Sequence, residues 1–259
     1  MIDLKGKVAL VTGGTRGLGR AISTKLAESG AAVVLNYRRD DASAERTLAQ
    51  VRALSPRSVL AKTDLENDAD TRAMVARVGA EFGRLDILIA NAASTAFKPL
   101  LDSKPHNLLR TFNLCVGGFL AAVQEATKVM SDGGRILVIS GIDSIRNLPG
   151  HGVLGAAKAA LESMVRDFAF ELGPRGITVN AINIGYVDTD SARYYAQYLG
   201  EPYEVFQRRC AERSAMKRLP SLEEIANFAC LICLPEASYL TAQTIMMDGG
   251  LTLHFPGGG

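Results

Sequence analysis

The stretch VALVTGGTRGLG, residues 8–19, decides the fold. Its first half, Val8 to Val11, is a short apolar run of the kind that makes a buried strand. Its second half is a turn holding Gly13, Thr15, Arg16, Gly17, Leu18 and Gly19, and it opens a helical-period segment with Ile22 and Leu26 inward and Gly30 at its end. Glycines there let the backbone bend sharply and approach a pyrophosphate, which the free N–H groups and the dipole of the helix start would hold. A glycine pattern alone is weak. This one follows a strand, opens a helix and is followed by a second strand, AVVLN at 32–36, an order that predicts dinucleotide binding over a merely structural turn.

Outward from that unit, short apolar runs alternate with helical segments: SVLA at 58–61, ILIAN at 87–91, RILVIS at 135–140, ITVNAI at 177–182 and QTIMMD at 243–248. Continuous apolar strands joined by helices imply a parallel sheet buried on both faces. Between Gly155 and Leu172, one stripe carries Leu161, Met164, Val165, Phe168 and Leu172, and Gly173-Pro174 supplies the stop. The expected architecture is a single-domain, Rossmann-like doubly wound α/β sheet over residues 1–259, with no linker or repeat. One segment, about 188–221, is polar and aromatic with no strand, and is expected to cover the ligand crevice as a substrate lid.

Composition narrows the function classes. With 29 basic and 27 acidic side chains among 259 residues, the net charge is +2, and no run of like charge offers a footprint for nucleic acid or an anionic membrane. No stretch approaches the roughly 18 apolar residues of a membrane span, and the N-terminal apolar run is too short for a signal peptide. A cytoplasmic protein is expected. Cys115, Cys210, Cys230 and Cys233 make no disulfide framework. The CxxC pair lies in the apolar segment IANFACLICL with no second ligand pair, so packing cysteines and no metal site are expected. His106, after Pro105, and His254, near the C-terminus, are assigned no ligand role.

At the end of the second strand, where an acidic residue would pair with the ribose hydroxyls of NAD, the chain reads Asn36-Tyr37-Arg38-Arg39. Together with Arg16, three guanidinium groups could converge on a 2′-phosphate, which predicts NADP(H). Surface arginines paired to Asp40 and Asp41 are the blander alternative.

These features, with Asn91-Ala92-Ala93 after the fourth strand, Asn113 in FNLCVGG, Lys158 in GAAKAALE and Asp248-Gly249-Gly250 after the last strand, resemble the short-chain dehydrogenase/reductase superfamily over essentially the whole chain. The resemblance implies a nicotinamide cofactor, a homodimer or homotetramer, and roles for matched positions. Asp64, beside Leu65, would touch the adenine; Asn91 and Ala92 would line the cofactor cleft; Thr189, with Val187 before it, would hold the carboxamide or pyrophosphate. Lys158 would bind the ribose hydroxyls and Asn113 a proton-relay water. SIRNLPGHGVLGAAKAALE most resembles enoyl-acyl-carrier-protein reductases, which carry their tyrosine seven residues before the lysine.

The chain departs from that pattern at the tyrosine. Seven residues before Lys158 stands His151, and four before it stands Leu154. The superfamily's serine falls on Gly141, with Ser140 before it and Ser144 after. Carbonyl or enoyl reduction each creates an oxyanion that wants a donor, and a neutral imidazole at position 151 could donate one N–H. An enolate is less basic than an alkoxide and asks less of that donor. The expectation is therefore an NADPH-dependent reductase of an activated C=C bond in a small-molecule or carrier-bound acyl substrate, with Lys158, His151, Asn113 and Ser140 as candidate catalytic residues. Carbonyl reduction, or a homologue that binds NADP(H) without redox chemistry, are the alternatives. Tyr186, Tyr194, Tyr195 and Tyr198 offer further phenols, read first as lid packing.

Overall fold

The computed structural model describes residues 2–253; His254 lies outside them. Strands β1 (Val8–Val11), β2 (Ala32–Tyr37), β3 (Val59–Lys62), β4 (Leu85–Ala90), β5 (Met130–Gly141), β6 (Thr178–Ile184) and β7 (Thr244–Met247) form one sheet in the order β3-β2-β1-β4-β5-β6-β7. Every neighbouring pair is parallel. The chain leaves β1 toward one side and resumes beyond it with β4, so β1 and β4 mark the point where the winding reverses and where ligands of such sheets bind.

Parallel pairing needs crossovers, and the helices supply them. Those before the active-site segment are α1 (Gly17–Glu28), α2 (Asp41–Leu54), α3 (Asp68–Phe82), α4 (Pro105–Phe112) and α5 (Gly118–Val129); α6 (Gly152–Leu172), α7 (Asp190–Tyr198), α8 (Tyr203–Arg213) and α9 (Leu222–Leu231) follow. Because strand side chains alternate, the sheet buries two separate cores. Leu10, Leu88, Val138 and Val179 face one, against α3, α5 and α6, whereas Val11, Ile89, Ile139 and Ile182 face the other, against α1 and α9. The predicted stripe of α6 is in the first, with Leu161, Val165 and Leu172 buried and Met164 and Phe168 partly so. The segment expected to lack strands folds as α7 and α8, and its Tyr195, Ala196, Phe206 and Cys210 make a small third core.

Candidate active site

The glycine-rich turn is built for close approach. Gly13 and Gly17 have φ of +62° and +51°, in the left-handed region that side chains avoid. A Cβ on Gly19 would lie 2.1 Å from the carbonyl oxygen of Gly13, so the start of α1 packs directly on the turn. Arg16, the N-cap of α1, is extended and offers its helix no side-chain hydrogen bond, and the first turn carries no acidic residue. The N–H groups there are left to an anionic ligand, which is what a dinucleotide pyrophosphate requires. Thr15 is buried, its carbonyl accepting from Thr47 Oγ1, and Leu18 is buried in the core below.

Asn36 shapes this turn from beneath. Its Oδ1 accepts from Gly13 N at 3.2 Å, and its Nδ2 donates to the carbonyls of Ala61 and Thr63, each at 3.2 Å. With its amide oxygen and both amide donors used within the fold, the Asn36 side chain braces the turn. Asn91 ties the next loop to the same turn, its Nδ2 donating to Thr12 O at 2.9 Å, while Asn91 N and Ala92 N both donate to Thr12 Oγ1. Thr189 closes the cleft from the other side: its methyl lies 3.7 Å from where a Cβ on Gly17 would be, and its hydroxyl caps α7. Val187 beside it is buried.

The three arginines are held differently. Arg16 and Arg39 are exposed, whereas Arg38 donates to Glu66 Oε1 at 2.5 Å and lies 3.6 Å from Asp64 Oδ1. Glu66 also accepts from Arg110 Nε at 3.1 Å, and Leu65 between the two acids is buried. Asp40 caps α2 and Asp41 pairs with Lys62, so neither takes the partner role the blander reading gave them.

Lys158, in the second turn of α6, is buried and donates from Nζ to Ile139 O at 2.5 Å. Asn113 begins a π-helical turn, Asn113–Gly117, between α4 and α5, and is solvent-exposed there. Such turns recur at functional sites. Ser140 departs from its catalytic expectation. It is 2% exposed, and its hydroxyl donates to Glu162 Oε1, which also accepts from Ser144 Oγ and Asn183 Nδ2. Ser140 points where β5 meets α6 and helps to satisfy a buried carboxylate that would otherwise be costly.

His151 is at the N-cap of α6, with its N–H bonded to Leu148 O and its carbonyl accepting from Gly155 N, so the backbone fixes where the ring starts. Phe97 stacks on the ring at 5.0 Å and Tyr195 of α7 meets it edge-on at 4.4 Å. Nδ1 lies 3.1 Å from Asp143 Oδ2, in a pair whose side chains are only 14% and 7% exposed. Nε2 is buried without a hydrogen-bond partner among the described residues. An unpaired buried polar atom costs about 1–3 kcal/mol, an arrangement that a reacting partner would relieve.

Asp143 is the residue that reading the sequence missed. A Cβ on Gly141 would lie 2.7 Å from Asp143 Oδ1, so the carboxylate occupies the space that a serine at 141 would need. A Cβ on Gly155 would come within 2.3 Å of Asp143 O, which packs the loop onto the first turn of α6. The only signal in the chain was an acid two residues after the vacant serine position, and nothing local marks its reach to residue 151. The geometry also changes the proton arithmetic. With Asp143 accepting from Nδ1–H, a neutral imidazole presents a lone pair at Nε2, so donation from Nε2 requires the imidazolium and not the neutral ring.

The other phenols separate. Tyr195 is buried, and burial pushes its hydroxyl up to about 12, so it stays neutral. Burial likewise raises Tyr186, which packs edge-on against Phe206. Tyr198 lies against Gly150, Tyr203 donates to Asp188 Oδ1, and Tyr194 is 65% exposed. The four cysteines are free and buried, and burial raises the Cys230 and Cys233 thiols.

Known proteins resemble the chain over nearly its whole length. Residues 13–252 match the family model described as Enoyl-(Acyl carrier protein) reductase. The chain is 36% identical over 250 residues to 1-cyclohexenylcarbonyl-CoA reductase of Streptomyces collinus, covering 96% of this chain and 88% of that protein. It is 31% identical over 255 residues to a hydroxynaphthalene reductase-like protein of Metarhizium brunneum, covering 96% of each. Among solved structures, a short-chain dehydrogenase from Burkholderia cenocepacia in complex with NADP superposes with a TM-score of 0.88 at 32% identity, covering 96% of this chain and 99% of that one. A strand–turn–helix unit with an uncapped helix start, a buried lysine on α6 and a family match across nearly the whole chain lead to one assignment: the chain belongs to the Enoyl-(Acyl carrier protein) reductase family of the short-chain dehydrogenase/reductase superfamily.

Proposed function

We propose that this oxidoreductase is an NADPH-dependent reductase of an activated carbon–carbon double bond, in an enoyl thioester or a related acyl compound, with the Asp143–His151 pair as its proton donor. The observation that carries this reading is the buried pair itself, at 3.1 Å, on the residue seven places before Lys158. The CoA-thioester reductase among the relatives supports the substrate class, and the NADP complex among the solved neighbours supports the cofactor.

The turn at Gly13–Gly19 would hold the pyrophosphate, Arg38, Arg39 and Arg16 the 2′-phosphate, and Lys158 the nicotinamide ribose. The bound cofactor would supply a hydride, which an enoyl group takes at its β-carbon. The chain's own part is to stabilise the enolate oxygen and return a proton to the α-carbon. Asp143 holds one proton of the imidazolium at Nδ1 and sets the ring plane; Phe97 and Tyr195 exclude water from its faces; Nε2 carries the proton that is given. Asn113 would hold the water that reloads the site. The 188–221 segment acts as the lid, since Tyr195 and Thr189 bring it against both His151 and the glycine turn. Exposed Leu101 and Leu109 near α4 and Phe170 on α6 favour a homodimer or homotetramer.

Deuterium transfer from NADPH labelled at the nicotinamide carbon, offered with a panel of 2-enoyl thioesters and ketones, tests the reading. Label in a saturated acyl product is expected. Label only in alcohols would move the reaction to carbonyl reduction, which the hydroxynaphthalene reductase-like relative favours. Tight NADPH binding with no labelled product would overturn reduction of either kind.

A further inference from the structure

Tyr195 serves two places. Its ring meets His151 at 4.4 Å, and it also lines a cavity of about 590 Å³ bounded by the β5–α6 loop, by α8 and by Leu251 and Thr252. Among the described residues, the walls of that cavity include none of the glycine turn, Lys158 or His151. Its volume is that of a site for an organic ligand, not for ordered water.

The charges around it are lopsided in a protein that is otherwise nearly neutral. Arg146, Arg209, Arg213 and Lys217 line it, against the single carboxylate of Glu212. Arg209 is paired with Glu201, but Arg146, Arg213 and Lys217 form no ion pair among the described residues. Arg146 donates instead to Thr252 O at 3.0 Å and Lys217 to Glu212 O at 2.7 Å, contacts that place the cations without neutralising them. Arg209 and Arg213 are one turn apart on α8, a spacing at which like charges repel. Lys217 has a φ of 55°, a conformation that costs a lysine what it would not cost a glycine. Helix stability alone opposes this arrangement; an anion between the cations reverses the sign.

We infer that this cavity is the subsite for the phosphate groups of the carrier arm that bears the acyl chain. The inference rests on the reductase reading only in naming that arm. Coenzyme A and a phosphopantetheinylated carrier protein share the phosphate chemistry, and Tyr195 places the cavity beside the residue that would meet the acyl carbonyl.

Isothermal titration calorimetry on the protein saturated with NADP⁺, so that the nucleotide site is closed to competitors, tests it without turnover. The titrants are coenzyme A, 4′-phosphopantetheine and pantetheine. Coenzyme A is expected to bind at least about tenfold more tightly than pantetheine, with the advantage shrinking as salt is raised. Arg213→Glu and Lys217→Glu should each remove about tenfold of coenzyme A affinity while leaving pantetheine and NADP⁺ affinity in place, and Arg213→Lys should retain most of it. Phosphopantetheine matching coenzyme A would assign the site to the phosphate common to both carriers; phosphopantetheine matching pantetheine would assign it to the nucleotide phosphates of coenzyme A. Equal affinity for coenzyme A and pantetheine, no binding of coenzyme A, or indifference to both charge reversals would overturn the proposal. Absence of deuterium transfer would overturn the reductase reading and leave this result standing.

Discussion

Replacing Asp143 by asparagine tests the proton donor with the least disturbance of shape. The amide is isosteric with the carboxylate, so it still fits the space beside Gly141, where a Cβ would lie 2.7 Å from Oδ1. Phe97 and Tyr195 still grip the ring, at 5.0 and 4.4 Å. What is lost is the carboxylate 3.1 Å from Nδ1, and with it the acceptor that fixes which ring nitrogen carries a proton. A missing or misdirected oxyanion donor costs roughly 10²- to 10³-fold in rate. Asp143→Asn should therefore lower kcat by that factor and change KM by less than about threefold, because the residue is neither in the glycine turn nor among those lining the basic cavity. Steady-state NADPH oxidation with the acyl substrate varied, and NADPH affinity measured separately, reads both quantities. A variant with kcat within about threefold of the native value would refute the role of the pair.

Gly19→Ala would place its Cβ 2.1 Å from Gly13 O, where ordinary contact begins at 3.4 Å, so the turn or the helix must move; overpacking of about 1–3 kcal/mol should appear as roughly 5- to 150-fold weaker NADPH binding by fluorescence titration. Arg38→Ala with Arg39→Ala should weaken NADPH about 10- to 100-fold and NADH by much less, and equal losses for both would remove the 2′-phosphate assignment. Glu224 sits in the capping box of α9, and its hydrogen bond to Arg218 holds its carboxyl down to about 2 from an ordinary 4.5. A depressed carboxyl stabilises the fold above the ordinary value and loses that effect as pH falls toward its folded value. Glu224→Gln should therefore lower the Tm at neutral pH, with the gap from the native protein closing between about pH 4.5 and 2 in calorimetric scans.

Much of the fold is legible because its causes are local. Each strand of the sheet is readable from a run of four to six residues holding three or four apolar side chains, since a strand buried on both faces is mostly apolar along its length. The glycine turn was readable because positive φ and close approach admit few other residues, and α6 because its stripe repeats along one helix. The same locality misplaced Ser140. Its spacing from Lys158 is nearly right, yet the strand period sends its side chain toward Glu162 on α6, and only packing reveals that this carboxylate needs three donors.

The sequence by itself determined the fold class, the nucleotide turn, the arginines after the second strand and the departure at residues 141, 151 and 154. Only the tertiary structure decided that Asp143 fills the space beside Gly141 and reaches Nδ1 of His151, that the Asn36 side chain braces the turn, and that Tyr195 lies between His151 and a basic cavity. The reason is physical. Backbone conformation and apolar periodicity are encoded over a few neighbouring residues, whereas a hydrogen bond between two loops depends on where separate helices and strands bring their ends together in space.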